Sequence, residues 1–491
     1  MKRLLFLLPL LVWCAPAHAI AVKFIQATEN SGVNNATATT YVVRFPNATL
    51  SGNLIACFFN TGTGNTGGTV ADNIGNTYTR RVNVTGSQRV AEFDSQGATL
   101  GTQVITYTPS TGVNNIQGEC AEFAGIASTS ALDGTCSRTG TSGTTVNCSS
   151  AITTTVNGDL ILHYGVQDTG VGMTSWTNGG GSWKFCEGCT DIQIGQALQY
   201  QVQATAGAIT PSMTQAPTHN FDTVAIAFKA DSTKGTLPSG IHVYSATHAN
   251  ILAATASPIK IPVTCDSSNS VNLIIVKTLV VDAKAVTAIS DTAGNTYSFT
   301  ETSLSSGSGS GNLRIGYTST TFTCSQTNVL SVTYTGSGGS GDTVIVLSVA
   351  GAATAPAFDT TGSRVTGTDS TTTAHSINGS AITPTTTGGI VVSMMGLTNP
   401  GPSDTASASG GGTAVSLAGT SNPEAGSGDM DENNGYSLQY NTASSARTMS
   451  FHFPATAGGA GSFASISASF KALATGGTPA NQYPRIIGGT R

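Results

Sequence analysis

The sequence predicts an all-β protein built as two tandem β-sandwich, jelly-roll-like domains of one design. Three observations predict it. First, five landmarks recur in the same order along the chain. Asn53-Leu54-Ile55 returns as Asn272-Leu273-Ile274, and Asp72-Asn73-Ile74-Gly75-Asn76-Thr77-Tyr78 as Asp291-Thr292-Ala293-Gly294-Asn295-Thr296-Tyr297. Ala151-Ile152-Thr153, Leu198-Gln199-Tyr200 and Phe228-Lys229-Ala230 return as Ala381-Ile382-Thr383, Leu438-Gln439-Tyr440 and Phe470-Lys471-Ala472. Such internal repetition means one structural design used twice. Second, short runs rich in Val, Ile, Thr, Tyr and Phe alternate with clusters of Gly, Asn, Ser and Asp, the pattern of strands and turns. Third, helical periodicity is nearly absent.

In chain order, residues 1–19 read as an export signal: Lys2-Arg3, the apolar run Leu4 to Val12, and the small-residue site Ala17-His18-Ala19. The first repeat spans 20–231. Its strand patterns include Thr40 to Phe45, Asn53 to Phe59, Gln103 to Tyr107 and Asp159 to Tyr164. Val104 and Thr106 should face one side of their strand, Ile105 and Tyr107 the other. Residues 232–240, polar and carrying Pro and Gly, read as a short linker. The second repeat spans 241–474, with strand patterns at Val271 to Val281, Val329 to Tyr334, Thr343 to Val349 and Gly389 to Met395. Leu273 to Val276 is apolar on both faces and reads as an interior strand. Residues 475–491 form a C-terminal tail. Each repeat exceeds the ~100 residues of a minimal sandwich, which predicts a larger, decorated one.

Composition narrows the class. Only 9% of residues are charged and the net charge is −5. That leaves no basic footprint for nucleic acid and no polybasic membrane patch. No later apolar run is long enough to span a bilayer. Beyond Cys14 in the signal, the eight cysteines are Cys57, Cys120, Cys136, Cys148, Cys186 and Cys189 in the first repeat, and Cys265 and Cys324 in the second. Even counts in an exported chain favour disulfides within each repeat. Cys265 then pairs with Cys324. The six in the first repeat allow 15 connectivities and stay open; Cys136–Cys148 and Cys186–Cys189 would close short loops, and Cys57–Cys120 would then join two apolar strands.

The repeated Asp-x-x-Gly-Asn-Thr-Tyr reads as a hairpin turn. Gly75 and Gly294 supply positive φ, and the Asp carboxylate caps the turn. Together with Gly158-Asp159-Leu160-Ile161 and the segment Phe123 to Asp133, it resembles the tandem jelly-roll-like modules of secreted bacterial surface proteins. Gly388-Gly389 departs from the Gly-Asp pattern in the second copy. The resemblance implies an architecture and a surface location, and no catalytic residues.

The two copies differ most at one loop. The first carries Cys186-Glu187-Gly188-Cys189, and the second carries Asp429-Met430-Asp431-Glu432-Asn433. Asp429, Asp431 and Asn433 have the alternating oxygen spacing of a calcium loop, without its central Gly or closing Glu. A hydrated turn and a structural calcium site compete there, and no other cofactor is expected. Trp176, Trp183 and Phe185 flank the cysteine loop. If exposed they would form a stacking platform for a glycan; if buried, part of the core. Metalloprotease, phosphate-loop and nucleophile-elbow signatures are missing. Glu122 and Asp159 are the one candidate carboxylate pair, and buried hydrogen-bonded roles fit them better. The sequence therefore predicts a secreted, non-enzymatic surface protein for adhesion or glycan binding. A structural subunit that self-associates, or a polysaccharide-acting enzyme, are the alternatives.

Overall fold

The computed structural model describes residues 21–473, except 34–39, 63–66, 87–88, 103, 112–115, 169–173, 192–194, 239, 252–256, 281–284, 300–303, 307–310, 321, 336–341, 355, 372, 374, 398–404, 410–412, 418–435, 441–445 and 454–460. Residues 1–19, read in the sequence as an export signal, the expected C-terminal tail, and Asp429, Asp431 and Asn433 lie outside the described residues. Among the described residues there is no α-helix, only one 3-10 turn at Ser267–Asn269.

The first half forms β1 (Lys23–Val33), β2 (Tyr41–Arg44), β3 (Leu54–Thr61), β4 (Gly68–Asp72), β5 (Thr79–Thr85), β6 (Arg89–Ser95), β7 (Val104–Pro109), β8 (Ile116–Ala124), β9 (Leu132–Asn147), β10 (Ile152–Thr153), β11 (Asp159–Gln167), β12 (Ser175–Thr177), β13 (Lys184–Asp191), β14 (Gln196–Gln203), β15 (Ala208–Ile209) and β16 (Ser212–Phe228). The second half forms β17 (His242–Ile251), β18 (Ile259–Pro262), β19 (Val271–Val280), β20 (Val286–Asp291), β21 (Tyr297–Phe299), β22 (Leu304–Ser306), β23 (Gly311–Thr318), β24 (Val329–Tyr334) and β25 (Asp342–Ala350). It continues with β26 (Phe358–Thr361), β27 (Val365–Asp369), β28 (His375–Ile382), β29 (Ile390–Leu397), β30 (Thr405–Ser409), β31 (Thr413–Leu417), β32 (Tyr436–Tyr440), β33 (Arg447–Phe453) and β34 (Gly461–Phe470).

The all-β sandwich read from the sequence is the fold observed, with a richer internal build. β1-β8-β3-β6-β5 faces the small sheet β2-β7-β4, and successive strands alternate between the two sheets except at the β5–β6 hairpin, which stays in the larger one. Tyr41, Val43, Phe59, Phe93, Ile105 and Tyr107 fill the space between them. The predicted alternation holds, with Ile105 and Tyr107 buried and Thr106 partly open. A second sheet, with β16-β11-β14-β13 at its centre, covers the other face of the same strands. Phe58, Ala121, Phe123, Leu162, Tyr164 and Ile226 pack in that second interior. β9 and β16 then change register together, next to Ser142 at φ 45°. Their far ends return over the sheet, where Val146 and Met213 meet Phe185 and Ala197.

The second half repeats these strand orders. β17-β25-β19-β23-β21 faces β18-β24-β20, and β34-β29-β32-β31 covers the opposite side. Leu273 and Ile275 enter one interior, Ile274 and Val276 the other, so β19 is buried on both faces as its composition demands. Burying each such side chain contributes about 1.5–3 kcal/mol.

The halves are fused rather than strung together. β1 and β17 pair in parallel, Ala27 opposite Ser245 and Thr28 opposite Ala246, making one continuous eleven-stranded sheet. Strand order runs outward identically on both sides of this parallel pair. Only an approximate two-fold axis lying along the strands produces that arrangement, and such an axis exchanges the faces of the sheet. The six-stranded sheet of the first half therefore shares a face with the three-stranded sheet of the second. Tyr244 on β17 packs into the interiors beneath both. The connecting residues lie on the first half, where Thr236 exchanges hydrogen bonds with Asn53 at 2.7 and 3.1 Å.

Candidate functional site

Where those two sheets meet, the first half presents the Cys186–Cys189 segment. It lies within β13, and the counterpart of β13 in the second half is β31, which pairs with β32. Asp429–Asn433 fall in sequence between β31 and β32, so the expected match of the two segments does not hold. β13 pairs with β14 at Phe185–Gln199 and again at Thr190–Ala197. Four residues, Cys186 to Cys189, thus bulge opposite the single Leu198, and the Cys186–Cys189 disulfide closes the bulge. A bulge re-aims side chains locally. Here it carries Glu187 out of the first half and against the second.

The second half receives it with residues on either side of Cys265, which is joined to Cys324. Glu187 Oε1 accepts from Asn269 Nδ2 at 2.6 Å and from the Asp266 amide at 3.1 Å. Thr264 Oγ1 donates to the Cys186 carbonyl at 3.0 Å. Gln326 accepts from the Phe185 amide at 2.6 Å and donates to the Phe185 and Cys265 carbonyls, tying the two loops together. Lys184 Nζ sits 2.8 Å from both oxygens of Asp266, and Tyr200 donates to Oδ2 at 2.7 Å. Phe24 lies between Tyr200 and Tyr244, stacked at 5.8 and 6.0 Å.

Electrostatics sorts the two carboxyls. Burial works against Asp266, but Lys184, Ser268 and Tyr200 outweigh it and hold the group below its ordinary value. Burial pushes the Glu187 carboxyl up to about 8, against the pull of Asn269 and the Asp266 amide. Its Oε2 has no hydrogen-bond partner among the described residues. Burial, with the two carboxyls nearby, also raises Tyr200 and lifts Tyr244 to about 12. The seam therefore holds one ionised carboxylate beside one neutral acid, a packing arrangement with no exposed nucleophile or acid–base couple.

Of the two roles open to Trp176, Trp183 and Phe185 in the sequence, platform or core, the core role is the one observed. Trp176 and Trp183 are 8% and 9% exposed, and Phe185 1%. Trp176 and Phe185 pack with Val146, Met213 and Phe221, and Trp183 with Cys136, Cys148 and Ile161. Stacking on a sugar needs an open ring face, and these faces are covered by neighbouring side chains. Gly179 serves the same packing, because a Cβ there would come within 2.7 Å of Trp183.

Glu122 and Asp159 are not brought together. Glu122 accepts from the Leu50 amide, Asn53 and Gln26, and burial raises it to about 7. Asp159 accepts from the Ala230 and Val156 amides and lies against Asp133; burial and that neighbour raise its carboxyl. The repeated turns are likewise structural. Asp72 takes the amides of Ile74, Gly75 and Asn76 together with Asn76, Tyr78 and Thr102 side chains. Asp291 takes the Asn295 amide with Asn295, Tyr297 and Asn328. Among the described residues, no group of three or more His, Cys, Asp or Glu side chains could hold a metal ion.

All four disulfides close within a repeat, as the even counts favoured, and the first-repeat connectivity that the sequence left open is Cys57–Cys120, Cys136–Cys148 and Cys186–Cys189, beside Cys265–Cys324 in the second. They fit an oxidising environment, and no described helix is long and apolar enough to cross a membrane. Lys184, Tyr200, Asp266, Asn269 and Gln326 were not legible as site residues. The one available signal was Asp266 next to Cys265, where the first copy has Asn47 after Pro46. No family model and no curated protein matches the chain.

Proposed function

We propose that the protein is a secreted, non-enzymatic surface protein acting as a structural subunit of an extracellular assembly, its two repeats forming one rigid unit. The observation that carries this reading is the eleven-stranded sheet that runs unbroken through both halves by the parallel pairing of β1 and β17. An enzyme or receptor built from two domains commonly uses the cleft between them. In this chain the corresponding seam is filled with Glu187, Asp266, Tyr200 and Gln326 from both sides. Four disulfides and a weakly charged, hydroxyl-rich composition suit an extracellular scaffold. The glycan-binding reading loses its main support with the burial of Trp176 and Trp183. Electron microscopy of the purified mature chain over a concentration series tests the proposal. Ordered particles larger than one chain are expected. Monodisperse single chains that light up a glycan array would replace the structural reading with the adhesive one.

A further inference from the structure

The seam between the halves contains more acid than its lysine can neutralise. Lys184 Nζ is committed to both oxygens of Asp266. Glu187 lies against the amide of the same Asp266, is fully buried, and leaves Oε2 without a hydrogen-bond partner among the described residues. The other groups facing it are Asn269 on the second half, and the phenols of Tyr200 on β14 and Tyr244 on β17. Apart from Lys184, none of these facing groups is a cation. A second negative charge placed beside Asp266 in this space has only neutral donors to meet it, and an isolated buried carboxylate is costly.

We infer that the Cys186–Cys189 bulge is a pH-sensitive latch: Glu187 closes the seam as a neutral acid, and its ionisation releases the bulge from residues 264–269. The bulge pairs with β14 only at its two flanks, and Cys186 and Cys189 anchor it in the first half's interior. Its contacts with the second half run through Thr264, Asp266, Asn269 and Gln326, and these are the ones the latch releases. The parallel pairing of β1 with β17, at Ala27–Ser245, Thr28–Ala246 and Glu29–Thr247, is made by backbone groups and does not involve Glu187, so it stays closed. The direction follows from the chemistry. Glu187 loses its proton in the fold near pH 8, so the latch is shut in neutral and acidic media and opens in alkaline media.

Hydrogen exchange on the full disulfide-bonded chain tests this, read at pH 6.5 and pH 9.5 after correction for intrinsic exchange rates. Amides of 184–190 and 264–269 are expected to lose at least tenfold protection at the higher pH, while those of β1 and β17 keep theirs. In Glu187→Gln, which keeps the shape and the hydrogen-bond acceptor without the charge, protection is expected to be equal at both pH values. Two results overturn the inference: no selective loss in the wild type, or the same loss in Glu187→Gln. If Glu187→Gln fails to fold, Asn269→Asp supplies the second reading. It adds a carboxyl beside Glu187 and is expected to shift the loss of protection by about a pH unit or more; an unshifted midpoint overturns the inference.

Discussion

The two halves share strand order, yet at one equivalent position they invert their buried chemistry. In the first half, Phe58 on β3 stands between Glu92 on β6 and Glu119 on β8. In the second, Lys277 on β19 stands between Ile315 on β23 and Ile345 on β25. An aromatic ring flanked by two acids has become an ammonium flanked by two aliphatics. All six side chains are essentially enclosed. Phe58 stacks on Tyr164 at 5.3 Å, and Met394 on β29 occupies the corresponding place in the second half. Backbone pairing is thus conserved between the halves while the polarity of the interior is not. Register is kept across the two halves while the side chains at this position differ in chemistry.

The largest expected effect that sharpens this comparison is at the ring. Phe58→Ala should destabilise the protein by about 3–5 kcal/mol, measured by urea unfolding, because it opens a cavity against Tyr164. A cost under about 1 kcal/mol would show that the central position does not support the first interior. Next come the staples. Removing Cys57–Cys120, which spans 63 residues beside that ring, should cost about 4 kcal/mol by chain entropy. Removing Cys186–Cys189, which spans 3, should cost about 2 kcal/mol. Equal melting temperatures for the two double Cys→Ala variants would break the ordering.

Smaller effects separate the buried charges. Lys277→Met should leave stability unchanged or raise it by about 1–4 kcal/mol, since replacing a buried ionisable group by a packed apolar one of similar volume is often neutral or favourable. A clear loss in calorimetry would mean that the ammonium's own contacts hold the second half together. The halves should also respond oppositely to pH. Burial, with Asp94 adding to it, raises the Glu92 carboxyl well above its ordinary value. The fold therefore keeps a proton that the unfolded chain releases, and this contribution falls as pH rises above about 4.3. Burial lowers the Lys277 ammonium well below its ordinary value. The unfolded chain then holds the extra proton, and stability rises with pH towards about 10.4. In melting curves from pH 5 to 10, Glu92→Gln should flatten the fall and Lys277→Met the rise; unchanged slopes in both would sink the assignment.

Much of the architecture was legible in the sequence. The landmarks, the strand runs and the cysteine parity are local patterns, and local patterns survive in one dimension. What escaped is non-local. The pairing of β1 with β17 is made by backbone groups, so Ala27 and Ser245 carry no mark of it. The Leu-Gln-Tyr landmark even misleads slightly. Tyr200 pairs with Leu162, whereas Tyr440 pairs with Ile390, the counterpart of Leu160 when Phe228 and Phe470 serve as rulers. A two-residue slip keeps every side chain on its face, so the residue pattern cannot reveal it. The seam was half visible. Cys186 and Cys189 marked the loop, but Asp266, Asn269 and Gln326 lie 66 or more residues beyond Tyr200 and belong to the other repeat. The burial of Trp176 and Trp183 depended on β9 and β16 turning back over their own sheet, a bend set by single positions such as Ser142.

The shared sheet also governs what happens when the chain is cut. A protease that severed residues 232–240 would not liberate two particles. β1 would still be bonded to β17, Lys184 to Asp266, and Gln326 to Phe185. The nicked protein would travel as one body and separate only on denaturation. A fragment made alone would carry a long bare strand, β1 or β17, with nothing to cap it, and such an edge invites aggregation. Each half is thus the other's protection from its own surroundings, which ties the survival of either repeat to the presence of both.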